Sequence, residues 1–500
     1  MRPPLVVVSN RLPRNLTPGA AGRWPRRNVG GLVSALEPVL AAHGGAWVGW
    51  DGAALPSGAA VEAARARGSV ATALGGFQLH GVPLSEREVG QYYHSCANRA
   101  LWPLFHDFPG RAVFVPEDFA AYARVNRRFA EIVLEQAGPR ARVWVHDFHL
   151  MLVPGVLREL GFCGRLDFFL HIPFPPPEIF RALPWREELL RGMLAADSVA
   201  FHIPLYRDNF VAAARQFAGV RLAEPEPRDG ACLLLHDGGA TSARAVPIGI
   251  DVDEFERIAR LAAVERHAAK LRELHGNLRI LFSADRLDYT KGIGRRLEAL
   301  ERFVSAHPEA AGKFVLIQVV VPSRHQVEEY RQMKREIDRE VGRINGEHGR
   351  EGWMPIHYRY QALEREELVA HYRAADVMLV TPLRDGMNLV ASEFAASRVD
   401  EDGVLVVSEL AGVSERSPGA LLVNPYDLDG CVEALDRALR MDPVERQRRM
   451  AALRARVRSN PVSRWAERCL ASGEPSPPLA LARAAAPTGT QALEAPWRGL

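Results

Sequence analysis

The chain has 500 residues, of which 47% are hydrophobic and 25% are charged, and its formal net charge is +3. These values are ordinary for a globular protein with a sizeable core, and the length favours two or more domains of roughly 100–200 residues each. Because the net charge is close to zero, no whole-molecule field favours nucleic acid or a membrane surface as partner. Any basic binding patch must therefore be local.

The cysteines and the first residues predict a cytoplasmic protein. The five cysteines are scattered, odd in number and without a C-x-x-C pair, which is typical of reduced thiols and not of a disulfide framework. The opening MRPPLVVVSNRLPRN has too short an apolar run for a signal peptide. No stretch of about 18 apolar residues occurs, so we expect no membrane span.

Short apolar runs alternate with helical stretches along the whole chain. Runs that are apolar on both faces and separated by helices predict parallel sheets covered by helices, the α/β class. There are more of them than one ordinary sheet comfortably holds, so we predict two doubly wound domains. The runs are PLVVVSN, RAVFVP, ARVWVHD, LDFFLHIP, SVAFHIP, RILFSADR, FVLIQVVVP, DVMLVTP, GVLVVSE and ALLVNP.

A Gly-rich turn and a short strand within residues 235–255 mark the predicted division of the chain. We predict a first domain over residues 1–240 and a second over residues 241–455. Residues 456–470 are predicted to contain a helix that crosses back to the first domain. Residues 471–500 are rich in Pro, Ala and Gly, a composition typical of disorder.

Charged or titratable residues follow several of the apolar runs. In open parallel sheets, ligands bind beyond the carboxyl ends of the strands, where loops lead into helices. A polar cleft between two domains requires residues of this kind at these positions. They are Arg11, Asp147, His171, Arg286, Arg324 and Asp385.

The motifs of several other enzyme classes are absent. The chain has no G-x-G-x-x-G after a strand, no P-loop and no H-E-x-x-H, which argues against nicotinamide enzymes, P-loop ATPases and zinc proteases. The D-x-D triplets at 251–253 and 427–429 are patterns that can hold a divalent metal. Such triplets are common by chance, and Asp253 precedes a helical pattern, so we interpret it as a helix cap. We predict no bound metal.

Arg286 and Lys291 form the most informative basic pair, around a turn that opens a predicted helix. Two cations beside a helix N-terminus are suited to bind a diphosphate. At an effective dielectric of about 20, a cation about 4 Å from a unit anion contributes roughly 4 kcal/mol before desolvation, so a metal is not required. The alternative is a solvated loop whose cations pair with Asp285 or Asp288.

The stretch TPLRDGMNLVASE connects an apolar strand to a helix through the corner at Asp385 and Gly386. The glycine lets the backbone approach a ligand closely, and the amides of residues 387–390 would point out of the first helical turn. Asp385 would accept hydrogen bonds from sugar hydroxyls, and Glu393 would hold a ribose diol. The alternative is a capping Asp385 and a surface Glu393.

His171 and Asp147 each allow two interpretations. Four prolines follow His171 and would fix its ring and carbonyl toward the cleft, although a lone histidine is more often a core residue satisfied by a carbonyl. Asp147 either contacts a ligand in the cleft or caps the following helix. The aromatic residues of QYYHSCANRALWPLFH are interpreted mainly as core.

Longer motifs, in the same order along the chain, resemble the retaining glycosyltransferase family of the trehalose-6-phosphate synthases. The resemblance covers about residues 5–470 and implies the GT-B fold, two Rossmann-like domains facing across a cleft. The matching stretches are VVVSNRLP, NVGGL, YYHSCANRALWPLFH, HDFHL, LHIPFPPPEIF, RLDYTKG, GRINGEHG and TPLRDGMNLVASEFAA.

The resemblance implies transfer of glucose from a nucleoside diphosphate glucose, UDP-glucose before GDP- or ADP-glucose, to glucose 6-phosphate. The products are α,α-trehalose 6-phosphate and the nucleoside diphosphate, and no cofactor is needed. In the family the acceptor hydroxyl is thought to attack the face that the diphosphate leaves, and that phosphate takes the proton. The alternatives are another phosphorylated acceptor, glycerol 3-phosphate or a cyclitol phosphate, or a non-catalytic sugar-phosphate sensor. A homo-oligomer is compatible with the sequence.

The resemblance also implies roles for individual residues, all of which this chain has. The donor would be held by Gly31, Arg286, Lys291, Asp385, Gly386, Met387, Asn388, Leu389, Val390 and Glu393. The acceptor would be held by Arg11, Tyr93, Trp102, Asp147 and Arg324. The residues at the reacting centre would be His171, Asp147, Arg286, Lys291 and Asp385.

Three features depart from the family pattern. The segment 11–30 is longer and richer in arginine than expected, which we expect to alter closure over the acceptor. Ser392 stands where lysine is common, and Asp285 stands where glutamate is common. We expect these two substitutions to affect the choice of donor.

Overall fold

The computed structural model of the protein describes residues 4–14, 16, 31–66, 71–74, 76–138, 141–223, 230–323 and 327–471. In these ranges the chain has two main sheets, and helices cover both. The two-domain α/β architecture predicted from the apolar runs is confirmed.

The first domain is built on a ten-stranded sheet. Its strands and those of a two-stranded ribbon are β1 (Leu5–Arg11), β2 (Gly45–Trp50), β3 (Ala54–Leu55), β4 (Ala71–Leu74), β5 (Phe77–Gly81), β6 (Leu84–Ser85), β7 (Arg142–His146), β8 (Arg165–Phe169), β9 (Ser198–Phe201), β10 (Arg221–Leu222), β11 (Cys232–His236) and β12 (Gly239–Ala245). The order is β10-β11-β12-β9-β8-β7-β1-β2-β5-β4, with β3 and β6 forming the ribbon. From β12 to β5 all neighbours are parallel, and the outer strands at both edges are antiparallel.

Helices flank this sheet and connect its parallel strands. They are α1 (Gly31–His43), α2 (Gly58–Ala66), α3 (Glu86–Glu88), α4 (Trp102–Phe105), α5 (Pro116–Gln136), α6 (Val153–Glu159), α7 (Pro177–Phe180), α8 (Arg186–Leu194) and α9 (Pro204–Phe217). A π-helix spans Val89–Leu101, and 3₁₀ turns lie at Pro109–Arg111 and Phe148–Leu150. π-helices are rare in proteins, and those that occur are often located at functional sites.

The second domain has a six-stranded, fully parallel sheet in the order β15-β14-β13-β16-β17-β18. Its strands are β13 (Arg279–Arg286), β14 (Phe314–Val321), β15 (Ile356–Arg359), β16 (Val377–Val380), β17 (Val404–Ser408) and β18 (Leu421–Val423). The helices are α10 (Val252–Ala259), α11 (Ala262–His275), α12 (Ile293–Ala306), α13 (Glu328–His348), α14 (Arg365–Ala374), α15 (Leu389–Ser397), α16 (Leu428–Arg440), α17 (Pro443–Arg458) and α18 (Val462–Leu470), with 3₁₀ turns at Tyr289–Lys291, Pro308–Ala310 and Ser414–Arg416.

One of the predicted strands is absent. RAVFVP, at residues 111–116, forms a 3₁₀ turn and irregular backbone. Val113 is 40% exposed, and its amide donates a hydrogen bond to the Arg99 carbonyl at 2.8 Å. Pro116 then opens α5, where its missing N–H costs nothing. The prediction was wrong because a short apolar run beside a proline lacked a neighbouring strand to pair with.

Helix α18 connects the end of the described chain to the first domain. The Trp465 ring is fully buried, with its centre 5.0 Å from that of Trp144 in β7. The Arg142 guanidinium donates to the carbonyls of Cys469 and Leu470. None of the helices in the described part of the chain combines the length and apolar character that a bilayer crossing requires.

A buried arginine ties together the carboxyl ends of the second sheet. Arg296 in α12 is 4% exposed and donates to Asp285 in β13 at 2.8 Å and to Gln318 in β14 at 3.0 Å. It also donates to the Thr381 hydroxyl after β16, at 3.0 Å, and to the Lys291 carbonyl, at 3.2 Å. Asp285 therefore faces the core of the second domain. The loops that carry Lys291 and Asp385 start from this network.

We expect Arg296→Met to lower the free energy of unfolding by about 3–5 kcal/mol, because it leaves the buried Asp285 carboxylate without its cation. Denaturant unfolding of the purified chain measures the change. Arg295→Met is the matched control, since Arg295 is the preceding residue, pairs with exposed Glu298 and lies over the ring of exposed Tyr426. The control should differ from wild type by less than about 0.5 kcal/mol. Equal losses in the two variants would contradict a structural role for the network.

Candidate active site

The carboxyl ends of the two sheets face each other across a crevice, and their loops touch at several places. The Trp102 indole N–H reaches the Asp288 carboxylate at 3.4 Å, and the Tyr206 hydroxyl donates to the Asp385 carbonyl at 2.9 Å. An ion pair of 2.8 Å joins Asp107 and Arg384. These contacts fix the distance between the loops on the two walls of the crevice.

Arg286 and Lys291 both lie at this crevice. Arg286 ends β13, is exposed, and holds its guanidinium carbon 5.7 Å from the centre of the Trp102 ring on the opposite wall. Among the described residues it has no carboxylate within ion-pair distance, so the alternative of pairing with Asp285 or Asp288 is not what the structure shows. Lys291 forms an ion pair with Asp385. The wall formed by the first domain therefore faces two cations: Arg286, which has no described carboxylate partner, and Lys291, which is paired with Asp385.

The turn after Lys291 is held against the neighbouring strand end. Gly292 has φ of 67°, and a Cβ there would lie 2.4 Å from the Thr381 carbonyl oxygen. The Leu383 amide donates to the Thr290 carbonyl at 2.7 Å. Only glycine permits both the backbone conformation and the close approach. The loops after β13 and β16 are thus packed backbone to backbone.

Asp385 is buried with its charge compensated. Burial opposes ionisation, but the Lys291 ammonium and hydrogen bonds from Lys291 and Asn388 outweigh it and lower the pKa of the carboxyl. Asn388 has φ of 67° and is the N-cap of α15. The first-turn amides of a helix have no intrahelical acceptor, so Leu389 and Val390 open α15 with donors available to an anion.

Gly386 marks the closest approach of the two walls. A Cβ at this position would lie 2.2 Å from the His171 carbonyl oxygen. Any larger residue would push the loop after β16 away from the loop after β8. The sequence interpretation of Gly386 as a point of close ligand approach did not foresee that the neighbouring group is protein backbone.

Glu393 lies further along α15 and is not a surface residue. Its carboxylate accepts a hydrogen bond from the Tyr372 hydroxyl at 3.0 Å. Burial raises the pKa of Glu393, although the hydrogen bond from Tyr372 partly offsets this. The other carboxylate oxygen of Glu393 is a strong hydrogen-bond acceptor for a ligand hydroxyl.

His171 belongs to a buried group of three imidazoles with His146 and His202. The His146 Nδ1 and His171 Nε2 atoms are 3.0 Å apart, and the ring centres of His171 and His202 are 5.3 Å apart. Burial, together with the neighbouring imidazoles, lowers the pKa of His171 well below its usual value. Burial also lowers the pKa of His146 and of His202 to about 3. All three rings are therefore neutral near pH 7 and act through hydrogen bonds, not through charge.

Asp147 follows β7 directly and sits in a strained conformation, with φ of 75°. Its carboxylate accepts the His171 amide at 3.2 Å. Burial raises the pKa of Asp147 to about 6, against the opposing effects of backbone hydrogen bonds and of Arg286 across the crevice. Positive φ in a non-glycine residue is costly and clusters at functional sites. The structure assigns no side-chain cap to Asp147, so the capping alternative fails.

Arg11 and Tyr93 form the outer part of the first wall. The Arg11 guanidinium lies 4.5 Å from the centre of the Trp50 ring, and the Tyr93 ring packs edge-on against Trp50 and parallel to His149. Burial lowers the pKa of Arg11, while Tyr93 and Asp51 act in the opposite direction. A half-buried guanidinium stacked on an aromatic ring is held rigidly, which suits phosphate binding.

Trp102 contacts the opposite wall of the crevice, and its role in acceptor binding stays a prediction. Its side chain is only 6% exposed, and its N–H group is directed at Asp288 of the second domain. It joins the walls of the crevice in this structure. Arg324 lies outside the described residues. Gly31 begins α1, and most of the segment 11–30 also lies outside them.

Sequence reasoning missed several residues that the fold brings to the crevice. Some of them, such as His106, His146 and Arg384, stand in the motifs quoted above, but the sequence reasoning assigned them no role at the site. His106 bonds to the Trp102 carbonyl at 2.8 Å, and burial lowers its pKa to about 4. The others are Asp107, His146, His202, Tyr206, Asp288 and Arg384.

The D-x-D triplets have structural roles. Asp251 caps α10 by accepting the Glu254 amide at 3.1 Å, and Asp427 caps α16 by accepting the Gly430 amide at 3.1 Å. Capping was predicted for Asp253, which instead lies within the first turn of α10, so the capping residue is two positions earlier.

Known proteins share this architecture and sequence. The model of glycosyltransferase family 20 matches residues 3–474. A bifunctional trehalose-6-phosphate synthase/phosphatase of Thermoproteus tenax is 44% identical over 472 residues, covering 92% of this chain and 62% of the relative, so the chain spans under two thirds of that protein. The trehalose-6-phosphate synthase of Mycolicibacterium smegmatis is 42% identical over 466 residues, covering 92% of this chain and 90% of the relative.

Solved structures agree with the fold. A UDP-forming α,α-trehalose-phosphate synthase of Burkholderia xenovorans, in complex with glucose 6-phosphate, superposes with a TM-score of 0.84 at 33% identity, covering 93% of this chain and 98% of that one. An Escherichia coli protein of this group bound to UDP-2-fluoro glucose gives 0.83 at 34% identity, covering 93% and 98%. The predicted GT-B architecture and the resemblance found in the motifs are confirmed. The chain belongs to glycosyltransferase family 20.

Proposed function

We propose that this enzyme transfers glucose from a nucleoside diphosphate glucose to glucose 6-phosphate and forms α,α-trehalose 6-phosphate. The observation that carries the proposal is the placement of Arg286 and Lys291 beside the opening of α15, facing Asp147 and His171 across the crevice. A wall of cations and helix amides opposite a wall that holds neutral imidazoles, the Asp147 carboxyl and Arg11 suits a leaving diphosphate and an incoming phosphorylated acceptor. UDP-glucose is the donor we propose, since similar proteins are described as UDP-forming and one is bound to a UDP-sugar analogue.

The donor would lie along the second domain. Its diphosphate would accept hydrogen bonds from Arg286, Lys291 and the first-turn amides of α15, and Glu393 would bind the ribose. Lys291 would then be shared between Asp385 and the phosphate, which leaves Asp385 free to accept a glucose hydroxyl. The full donor set proposed is Gly31, Arg286, Lys291, Asp385, Gly386, Met387, Asn388, Leu389, Val390 and Glu393.

The acceptor would lie against the first domain. Arg11 and Tyr93 would bind its phosphate, with Trp102 and Arg324 completing the set proposed from the motifs, and Asp147 would accept a hydrogen bond from a sugar hydroxyl. The glucose 6-phosphate complex of the Burkholderia xenovorans enzyme supports an acceptor of this kind.

In the reaction, the acceptor hydroxyl oxygen bonds to the anomeric carbon of the donor as the bond from that carbon to the diphosphate oxygen breaks. The hydroxyl proton passes to the departing phosphate. Arg286, Lys291 and the helix amides stabilise the negative charge that develops on the diphosphate. His171, neutral and held by His146, would contact the transferred glucose without adding charge to the wall.

Product analysis tests the proposal. The purified chain is incubated with UDP-, GDP- and ADP-glucose and with glucose 6-phosphate, glycerol 3-phosphate or a cyclitol phosphate, in excess chelator, and the products are identified by mass. We expect a phosphorylated disaccharide from UDP-glucose and glucose 6-phosphate. A product only from another acceptor would replace the assigned substrate, and turnover only after adding divalent metal would contradict the metal-free mechanism. The cytoplasmic location and a homo-oligomeric state stay predictions.

Lys291→Ala should lower kcat at least about 100-fold, because it removes a cation from the leaving diphosphate. Steady-state release of the nucleoside diphosphate measures the effect. Lys313→Ala, at an exposed lysine of the same domain, is the control and should retain full activity. Unfolding curves should accompany the assay, since Lys291→Ala also leaves Asp385 without its partner. Turnover near the wild-type rate would refute the role of Lys291.

Arg11→Gln should raise the KM for glucose 6-phosphate about 10-fold or more and leave the KM for the nucleotide sugar within about 2-fold. The physical reason is the loss of a charge-assisted hydrogen bond to the acceptor phosphate. Arg124→Gln, at an exposed arginine of helix α5 in the same domain, should change neither constant. A selective rise in the KM for the nucleotide sugar would contradict the assignment of Arg11 to the acceptor phosphate.

The pH profile should report Asp147. Because its pKa is raised to about 6, the carboxyl is protonated below that pH and ionised above it. If the ionised form accepts the acceptor hydroxyl, kcat/KM falls as the pH drops through about 6. The glucose 6-phosphate monoester also titrates near pH 6, so the comparison is with Asp147→Asn. We expect the acid limb to become shallower in the variant; an unchanged limb would assign it to the substrate phosphate alone.

A further inference from the structure

A second cavity lies outside the crevice, where the connection between the domains meets helices α15 and α17. Its interior volume is small, about 30 Å³. Its walls come from the linker residues 248–250, from α15, from the 3₁₀ turn at Ser414–Arg416 and from α17. We call this cavity the linker pocket. A cavity of this size admits a small polar group such as a phosphate, while the rest of a ligand would lie outside it.

The linker pocket has a cationic rim. Arg416 and Arg456 line it, and Arg468 of α18 is close enough to act on Arg416. Burial, and then the charges of Arg456 and Arg468, lower the pKa of Arg416 to about 10. In the described part of the chain, none of the three guanidinium groups lies within ion-pair distance of a carboxylate. Neighbouring arginines of α17 do pair: Arg454 and Arg458 both bind Glu256.

The remaining lining is polar at the rim and apolar below. The Ser392 hydroxyl has no hydrogen-bond partner among the described residues, and the Asn460 amide uses one donor, to the Pro247 carbonyl at 3.2 Å. The floor consists of aliphatic side chains, including Ile248, Ile250 and Leu453. Cations and donors over an apolar floor fit an anionic head group attached to a small carbon skeleton.

We propose that the linker pocket is a second ligand site, which binds the phosphate group of a small phosphorylated metabolite through Arg416 and Arg456. A tetrahedral phosphate can accept from two guanidinium groups and a hydroxyl together, and it neutralises like charges that otherwise repel. The linker pocket and the crevice share the opening of α15, since Met387 also lines the pocket, but they use different polar side chains of this helix. Glu393 accepts from Tyr372 of α14, while Ser392 lines the linker pocket. The proposal does not depend on the identity of the substrates.

The position of the pocket connects it to both domains. Its walls include the linker, where the Val462 amide donates to the Ile250 carbonyl at 2.9 Å, and the helix that begins with the proposed donor-binding amides. A Cβ on Gly249 would lie 1.8 Å from the Asn460 carbonyl oxygen, so the linker and the start of α18 are packed backbone to backbone. A ligand bound here contacts the elements that set the relative position of the two domains.

Calorimetric titration of the full chain with inorganic phosphate, at constant ionic strength, tests the site. The phosphate-binding cations of the crevice are removed by combining Arg286→Ala and Lys291→Ala with Arg11→Gln and Arg324→Gln. This variant should still bind phosphate, with a dissociation constant in the range of about 1 mM. Adding Arg416→Gln and Arg456→Gln to it should weaken the remaining binding at least about tenfold.

Arg448→Gln, at an exposed arginine of the same helix α17 that does not line the pocket, is the matched control and should leave the binding unchanged. Single Arg456→Gln removes a half-exposed side chain without a described partner, so it keeps the test valid if the combined variant fails to fold. It should weaken binding about 5-fold or more. Unchanged phosphate binding after Arg456→Gln, or no binding once the four crevice cations are replaced, would overturn the proposal.

Discussion

The ion pair between Lys291 and Asp385 is the interaction on which the organisation of the crevice depends. It joins the loops that follow two adjacent strands, β13 and β16, and it places a compensated charge where a diphosphate and a sugar would meet. The pair is supported from below by Arg296, whose guanidinium reaches both strands and the Lys291 carbonyl. A buried charge pair is costly unless its geometry is fixed and its other hydrogen bonds are satisfied, and this network supplies both conditions.

The two walls of the crevice divide the chemistry between them. The second domain contributes cations and helix amides, whereas the first contributes neutral imidazoles, a carboxyl with a raised pKa and a stacked guanidinium. Direct contacts through Trp102, Tyr206 and the pair of Asp107 with Arg384 hold the walls at a short distance. Charges confined in this way interact more strongly than they would in water, which is the condition for stabilising a leaving anion without a metal.

Sequence reasoning predicted the fold class and several site residues because parallel sheets direct the ends of their strands to one edge. Arg286, Asp147, His171 and Asp385 were identified from that rule and do lie at the crevice. Two predictions made from other patterns failed: the strand at RAVFVP, where an apolar run has no strand to pair with, and the cap at Asp253, where the capping residue is Asp251. Both failures concern short patterns whose meaning depends on neighbours that the sequence does not show.

The sequence by itself determined the alternation of strands and helices, the family and the chemical types available at the strand ends, since these follow from local periodicity and from motifs of several residues. Only the tertiary structure decided which charged groups form ion pairs and which do not. Lys291 is paired with Asp385, whereas Arg286 has no carboxylate partner among the residues that the structure describes. Three histidines share one cluster, and two arginines without described partners line a cavity at the linker. These relations join residues far apart in the chain, and pairing, burial and the pKa values that follow from them are properties of distance in space.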